Sequence, residues 1–165
     1  MRRLTCSVLF LGLSTALAQA ATLEPNYASD TVTIQADSQL SASCGTNFVK
    51  FDRSVVKSGG TVEPFTLPPK KVLVVTSFDW WASGNAGFAN HSRTAWLFRY
   101  SGGGVNGPSA QSTGLADSNG RAGASEAFPT GIVLRNPGTL CLEMDATAPG
   151  EPVIGVVNGF LAPDK

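Results

Sequence analysis

A single histidine, His91, serves the whole chain of 165 residues. That scarcity excludes a three-histidine zinc site and a His-Glu-x-x-His helix, because each needs more than one imidazole. Charge is also sparse: Asp, Glu, Lys and Arg make up 15% of the residues, and no basic run occurs. Nucleic-acid binding needs a cationic footprint, and none is visible. The same lack argues against electrostatic attachment to anionic membranes. The Gly-x-Ser-x-Gly elbow of serine hydrolases is missing. Ser101-Gly102-Gly103-Gly104 is followed by no Gly-Lys-Ser/Thr, so it reads as a turn and not as a phosphate cradle. No stretch after the N-terminus shows helical periodicity of useful length.

The N-terminus reads as an export signal. Arg2 and Arg3 supply positive charge, Val8–Leu13 an apolar run, and Ala18-Gln19-Ala20 a small-x-small cleavage site. The run is too short to span a membrane, which takes about 20 apolar residues. No second run of that length follows, so no membrane span is expected. Cys6 precedes the apolar run, the wrong side for lipid anchoring. Residues 1–20 are therefore expected to be removed, leaving a single domain at 21–165, secreted or periplasmic. Loss of Arg2 and Arg3 leaves ten basic against twelve acidic residues, a formal charge of −2. It also leaves two cysteines, Cys44 and Cys141. In an oxidising compartment an even pair reads as one disulfide. A zinc site built from both thiols and His91 would need them reduced, so no metal and no cofactor is expected.

Several runs carry strand character. Thr31–Ile34 and Thr46–Phe51 alternate. The strongest is Lys71–Trp80, rich in β-branched residues. At strict period two, Val72, Val74, Thr76, Phe78 and Trp80 share one face, and Leu73, Val75, Ser77, Asp79 and Trp81 the other. Thr94–Tyr100 repeats the pattern, with Trp96, Phe98 and Tyr100 together. Residues 101–128 are rich in Gly, Ser, Ala and Asn and read as a long loop, functional or disordered. Gly131–Met144 reads as a hairpin with a type II turn over Asn136-Pro137-Gly138. Leu140, Leu142 and Met144 then face the core, and Cys141 and Glu143 face away. Seven or eight strands with glycine-rich turns predict an all-β fold, an antiparallel β-sandwich of jelly-roll type. The last strand, Val153–Leu161, is apolar on both faces, whereas an antiparallel strand usually keeps one face wet. Either the long loop covers it or another subunit does; the second case implies a homo-oligomer through Val153–Leu161.

The Leu67-Pro68-Pro69 stretch, the Val72–Trp80 strand, the Gly131–Met144 hairpin and the terminal Gly159-Phe160-Leu161 resemble small exported bacterial β-sandwich proteins. In topology the chain is also similar to trimeric jelly rolls of the tumour necrosis factor and complement C1q type. The resemblance implies a sandwich, and for the second group an apolar strand at an oligomer axis. It transfers no functional residue.

The segment 78–96 holds all three tryptophans and the lone histidine. Trp80 and Trp96 read as core. Trp81 either packs under the following loop or stands exposed beside Asp79. An exposed indole beside a carboxylate is a means of holding a sugar, and the Gly- and Asn-rich residues 83–90 permit a shaped loop. The candidate ligand-binding residues are thus Asp79, Trp81, Asn85 and His91. Asp117-Ser118-Asn119-Gly120 is better read as an Asx turn than as part of a calcium loop, which needs further oxygen ligands. The sequon Asn90-His91-Ser92 matters only in a host that glycosylates exported proteins. Among Asp79, Glu126, Glu143 and Asp145 nothing places two carboxylates for glycoside hydrolysis. The functional expectation is an exported, non-catalytic module that binds or assembles. The alternatives are a carbohydrate-binding module centred on Trp81 and a hydrolase using His91 with a carboxylate.

Overall fold

The computed structural model describes residues 30–45, 48–56, 61–101, 104–145 and 151–165. The expected leader at 1–20, most of the arm that follows it and the Ser58-Gly59-Gly60 turn lie outside those residues. In chain order the strands are β1 (Thr31–Asp37), β2 (Ser43–Gly45), β3 (Phe48–Lys50), β4 (Arg53–Val56), β5 (Thr61–Pro64) and β6 (Lys71–Ala82). They continue as β7 (Ser92–Ser101), β8 (Gly104–Leu115), β9 (Ala122–Arg135), β10 (Thr139–Met144) and β11 (Val153–Pro163). A short 3-10 turn, Ala86–Phe88, lies between β6 and β7.

Two antiparallel sheets face each other. The first runs β5-β4-β1-β11-β6-β9 and the second β2-β3-β10-β7-β8. The pairs β1 with β11, β3 with β10, β6 with β9 and β7 with β8 are all antiparallel. They are the successive rungs of one long hairpin that rolls up, so that β1-β11-β6-β9 and β3-β10-β7-β8 become opposite layers. Eight strands in this order make a jelly roll. The short strands β4 and β5 widen the first sheet and β2 the second.

The core is what the apolar alternation demands. Ile34, Leu73, Phe78, Trp80, Leu97, Leu140, Leu142 and Val157 meet between the sheets, each at most 3% exposed. Phe51 packs edge-on against Phe78. Gly155 on β11 makes room for this: a Cβ there would sit 3.0 Å from both Phe51 and Leu142 side-chain atoms. Trp80 Nε1 and Ser112 Oγ are buried polar atoms without a hydrogen-bond partner among the described residues. A buried unsatisfied hydroxyl costs about 1–3 kcal/mol. Ser112→Ala is therefore expected to raise the urea midpoint by the equivalent of about 1 kcal/mol. A lowered midpoint would mean that the hydroxyl is satisfied, by buried water for example.

Four expectations need correction. First, residues 101–128 are not a loop: they hold all of β8 and the first half of β9, with 102–103 outside the described residues. Their small side chains reflect crowding where the two edge strands converge. A Cβ on Gly114 of β8 would lie 2.5 Å from the Gly123 carbonyl oxygen of β9. Neither strand covers the outer face of the first sheet.

Second, the period-two faces of β6 change phase midway. Pairing to β9 slips between Val75 and Ser77, and pairing to β11 slips at the same place. Thr76 is the extra residue of a bulge, which leaves two successive residues on one side. Leu73, Val75, Phe78, Trp80 and Ala82 therefore point inward. Val72 and Val74 point outward and join Phe160, Ala162 and Val133 in a second apolar cluster. β11 keeps strict alternation and so serves both clusters.

Third, Trp96 is not core. Ala95 and Leu97, both fully buried, take the inward positions of β7. Trp96 lies half-buried on the outer face of the second sheet, paired with Glu143 of β10 and Gln111 of β8. Burial there raises the Glu143 carboxyl above its ordinary pKa.

Fourth, the β9–β10 turn starts one residue earlier than a type II reading. Arg135 still pairs with Val72, and the Gly138 N–H donates to its carbonyl. Proline thus occupies the third turn position, after a cis peptide bond from Asn136. That is the type VI arrangement.

The Cys44–Cys141 disulfide is present, on the outer side of the second sheet. Leu140, Leu142 and Met144 face the core as the alternation requires. No helix among the described residues is long and apolar enough to cross a membrane.

Candidate functional site

The bulge at Thr76 decides what the outer face of the first sheet displays. Beyond it, Ser77, Asp79 and Trp81 all point away from the core. Cross-strand register sets their neighbours. Trp81 lies between Gly123 of β9 and Ile154 of β11; Asp79 between Ser125 and Val156; Ser77 between Ala127 and Asn158. β1 extends these rows with Asp37, Gln35 and Thr33.

A hydrogen-bonded ladder crosses four strands here. Thr33 Oγ1 donates to Asn158 Oδ1 at 2.8 Å. Asn158 Nδ2 donates to Ser77 Oγ at 3.0 Å and to Asp79 Oδ2 at 3.3 Å. Ser125 Oγ donates to the other Asp79 oxygen. At about 4.8 Å per strand the ladder spans roughly 14 Å. Each member keeps a free lone pair or proton, so the face offers donors and acceptors in fixed positions. Beside it, two residues beyond Asp79 on β6, stands Trp81, 46% exposed, whereas its neighbour Trp80 is 3% exposed. Gly123 opposite carries no side chain, which leaves that flank of the indole clear.

Two of the four candidate residues, Asp79 and Trp81, thus share one face. Asn85 does not join them. It caps the 3-10 turn, its Oδ1 accepting the Gly87 N–H at 2.8 Å. Its backbone is held by Gly120, where a Cβ would fall 1.9 Å from the Asn85 carbonyl oxygen. His91 is exposed on the adjoining loop. Its backbone N–H donates to the Phe88 carbonyl and its carbonyl accepts from Ala116. Its imidazole has no carboxylate partner among the described residues. Asp117 behaves as an Asx turn: its Oδ1 accepts the Asn119 and Arg121 N–H groups at 2.8 and 2.9 Å. The Arg121 N–H leads the influences that hold its carboxyl below the ordinary value. Among the described residues no group of three His, Cys, Asp or Glu is placed to hold a metal.

Sequence reasoning missed Thr33, Ser77, Ser125 and Asn158. They lie on four different strands, and only pairing register brings them together. Asn158 alone carried a signal, as the one strongly polar residue inside an apolar last strand. No family model matches the chain, and no curated protein is significantly similar to it. The reading of this face therefore rests on its own geometry.

Proposed function

We propose that this protein is an exported, non-catalytic binding module whose contact surface is the outer face of the six-stranded sheet, with a glycan as ligand. One observation carries the reading: an indole 46% exposed on β6, two residues beyond Asp79 and beside the Thr33–Asn158–Ser77–Asp79–Ser125 ladder. A sugar has an apolar ring face and a rim of hydroxyls. Trp81 suits the first and the ladder the second. Export is supported by the leader-like N-terminus and the disulfide.

Tryptophan fluorescence across a panel of oligosaccharides tests this. A ligand is expected to quench or shift the emission, and Trp81→Ala to weaken its binding at least about 30-fold, the effect of a 2 kcal/mol hot spot. Trp81 touches the core little, so the variant is expected to keep its stability within about 0.5 kcal/mol. Emission unchanged by every glycan in the panel defeats the glycan reading.

A second reading is self-assembly through the same face. Ile154 and Val156 of β11 lie beside Trp81 and are only half-buried. Both edges of β11 are already paired, with β1 and with β6, so an oligomer through Val153–Leu161 uses its outward face. Sedimentation separates the two readings: assembly requires a mass above the monomer that falls in Trp81→Ala, whereas glycan binding requires no change in mass.

A further inference from the structure

The hydrogen-bonded ladder contains one charged residue, Asp79, and its surroundings select among sugars. Both of its side-chain donors are neutral: Asn158 Nδ2 at 3.3 Å and Ser125 Oγ. Asp79 has no ion-pair partner among the described residues. A carboxylate has about four lone-pair positions, so two donors leave acceptor capacity over. The group is half-buried in the sheet face. Trp81, two residues further along β6, stands about 7 Å away, within reach of the same bound sugar or the next one.

The cations nearby are far off or engaged. Register carries the row of Asp79 through Val156 and Gln35 to Arg53 on β4. Arg53 is therefore three strands from Asp79, about 14 Å. Its guanidinium donates to the Leu40 carbonyl at 2.6 Å and lies 3.6 Å from Asp52. Arg121 precedes β9, four residues from Ser125, about 13 Å along the chain. Its side chain runs beside Gly84, where a Cβ would stand 2.7 Å from the Arg121 Cγ. The other carboxylate of the face, Asp37, lies beyond Ile154 in the row of Trp81. It is 8% exposed, and its Oδ1 accepts the Gln39 N–H at 2.8 Å, so it serves its own turn. Asp79 is thus the charge that a ligand stacked on Trp81 meets.

We propose, building on the glycan reading, that the ligand is an amino-sugar glycan with free, protonated amines. The sugar ring stacks on Trp81, and an ammonium group of the same or the next unit donates to Asp79. Such a contact, charged on both sides, is stronger than one from a neutral hydroxyl. Uronate and sulfated glycans are disfavoured, because their anions would face Asp79 with no cation to meet them. N-acetylated sugars keep the ring and hydroxyls but lose the charge.

Oligomers of glucosamine, N-acetylglucosamine and galacturonate distinguish these classes. They are titrated into the mature oxidised chain at slightly acidic pH, where sugar amines are charged, and followed by tryptophan fluorescence. Glucosamine oligomers are expected to bind about tenfold more tightly than N-acetylated ones, one charge-assisted contact, and galacturonate not to bind. Asp79→Asn, equal in size, is expected to erase that preference while leaving the N-acetylated oligomer within about threefold. Ser125→Ala, which keeps the charge, is expected to keep the preference. Added salt should weaken the glucosamine oligomer selectively. Equal affinity for charged and N-acetylated oligomers, tighter binding of galacturonate, or a preference that survives Asp79→Asn would overturn the amino-sugar assignment and leave the glycan reading standing. So would binding of some other glycan with none of these three bound. Failure of every glycan defeats both.

Discussion

Removing the Cys44–Cys141 bridge by double alanine substitution is expected to lower the unfolding free energy by about 4–5 kcal/mol. The bridge spans 97 residues of sequence, and in the chain-entropy model a loop of about 100 residues contributes about 4.7 kcal/mol. For a domain of this size the melting temperature would then fall by on the order of 15 °C. The structure adds a local reason. β2 and β3 are three residues each, too short to hold a sheet edge by pairing alone. The disulfide fastens β2 across β3 to β10, where Cys141 is fully buried. Next to it Phe48 packs edge-on against Phe98 at 5.2 Å. Reduced wild type should match the alanine variant, and hydrogen exchange should quicken first in β2 and β3. An unchanged denaturation midpoint would show that the packing of Phe48 and Val49 holds this edge without the bridge.

Glu151→Gln is expected to cost about 3–5 kcal/mol, although it changes one atom. Arg93 and Glu151 are 1% and 2% exposed, a bidentate pair with nitrogen–oxygen distances of 2.5 and 3.2 Å. The guanidinium also lies over the Phe88 ring, 4.5 Å from its centre. Arg93 occupies an inward position of β7, where the sheet ends and core side chains run out. Glu151 meets its charge there, and removing one partner of a buried, hydrogen-bonded ion pair is strongly destabilising. The pair also anchors the 83–91 turn through Phe88. Arg93→Met combined with Glu151→Leu is expected to lose less than either single change, since apolar replacements of a buried pair are often neutral. A double-mutant cycle in urea checks this; additive losses would mean that the two residues act separately. Faster exchange of the Phe88 and His91 amides should accompany the single variants.

Legibility varied along the chain for definable reasons. Where side-chain size alternated strongly, as in Thr139–Met144, strand and facing direction were both readable. Where residues were small, in 101–128, alternation left no trace, and two edge strands looked like a loop. The Lys71–Ala82 strand was plain, but its faces were not, because one bulged residue inverts every assignment beyond it. Trp96 misled for a simpler reason: an aromatic in a strand satisfies both faces of a sheet whose outer side is partly covered.

The chain's covalent sequence alone determined an all-β sandwich, the jelly-roll class, the Cys44–Cys141 pairing and the lack of a histidine-rich site. These follow from composition and local alternation, which act over a few residues. Tertiary structure decided the strand order, the phase of β6, and the meeting of Thr33, Ser77, Asp79, Ser125 and Asn158 beside Trp81. Those depend on register between segments up to 125 residues apart, and register is set by the packing of whole sheets, which no local pattern encodes.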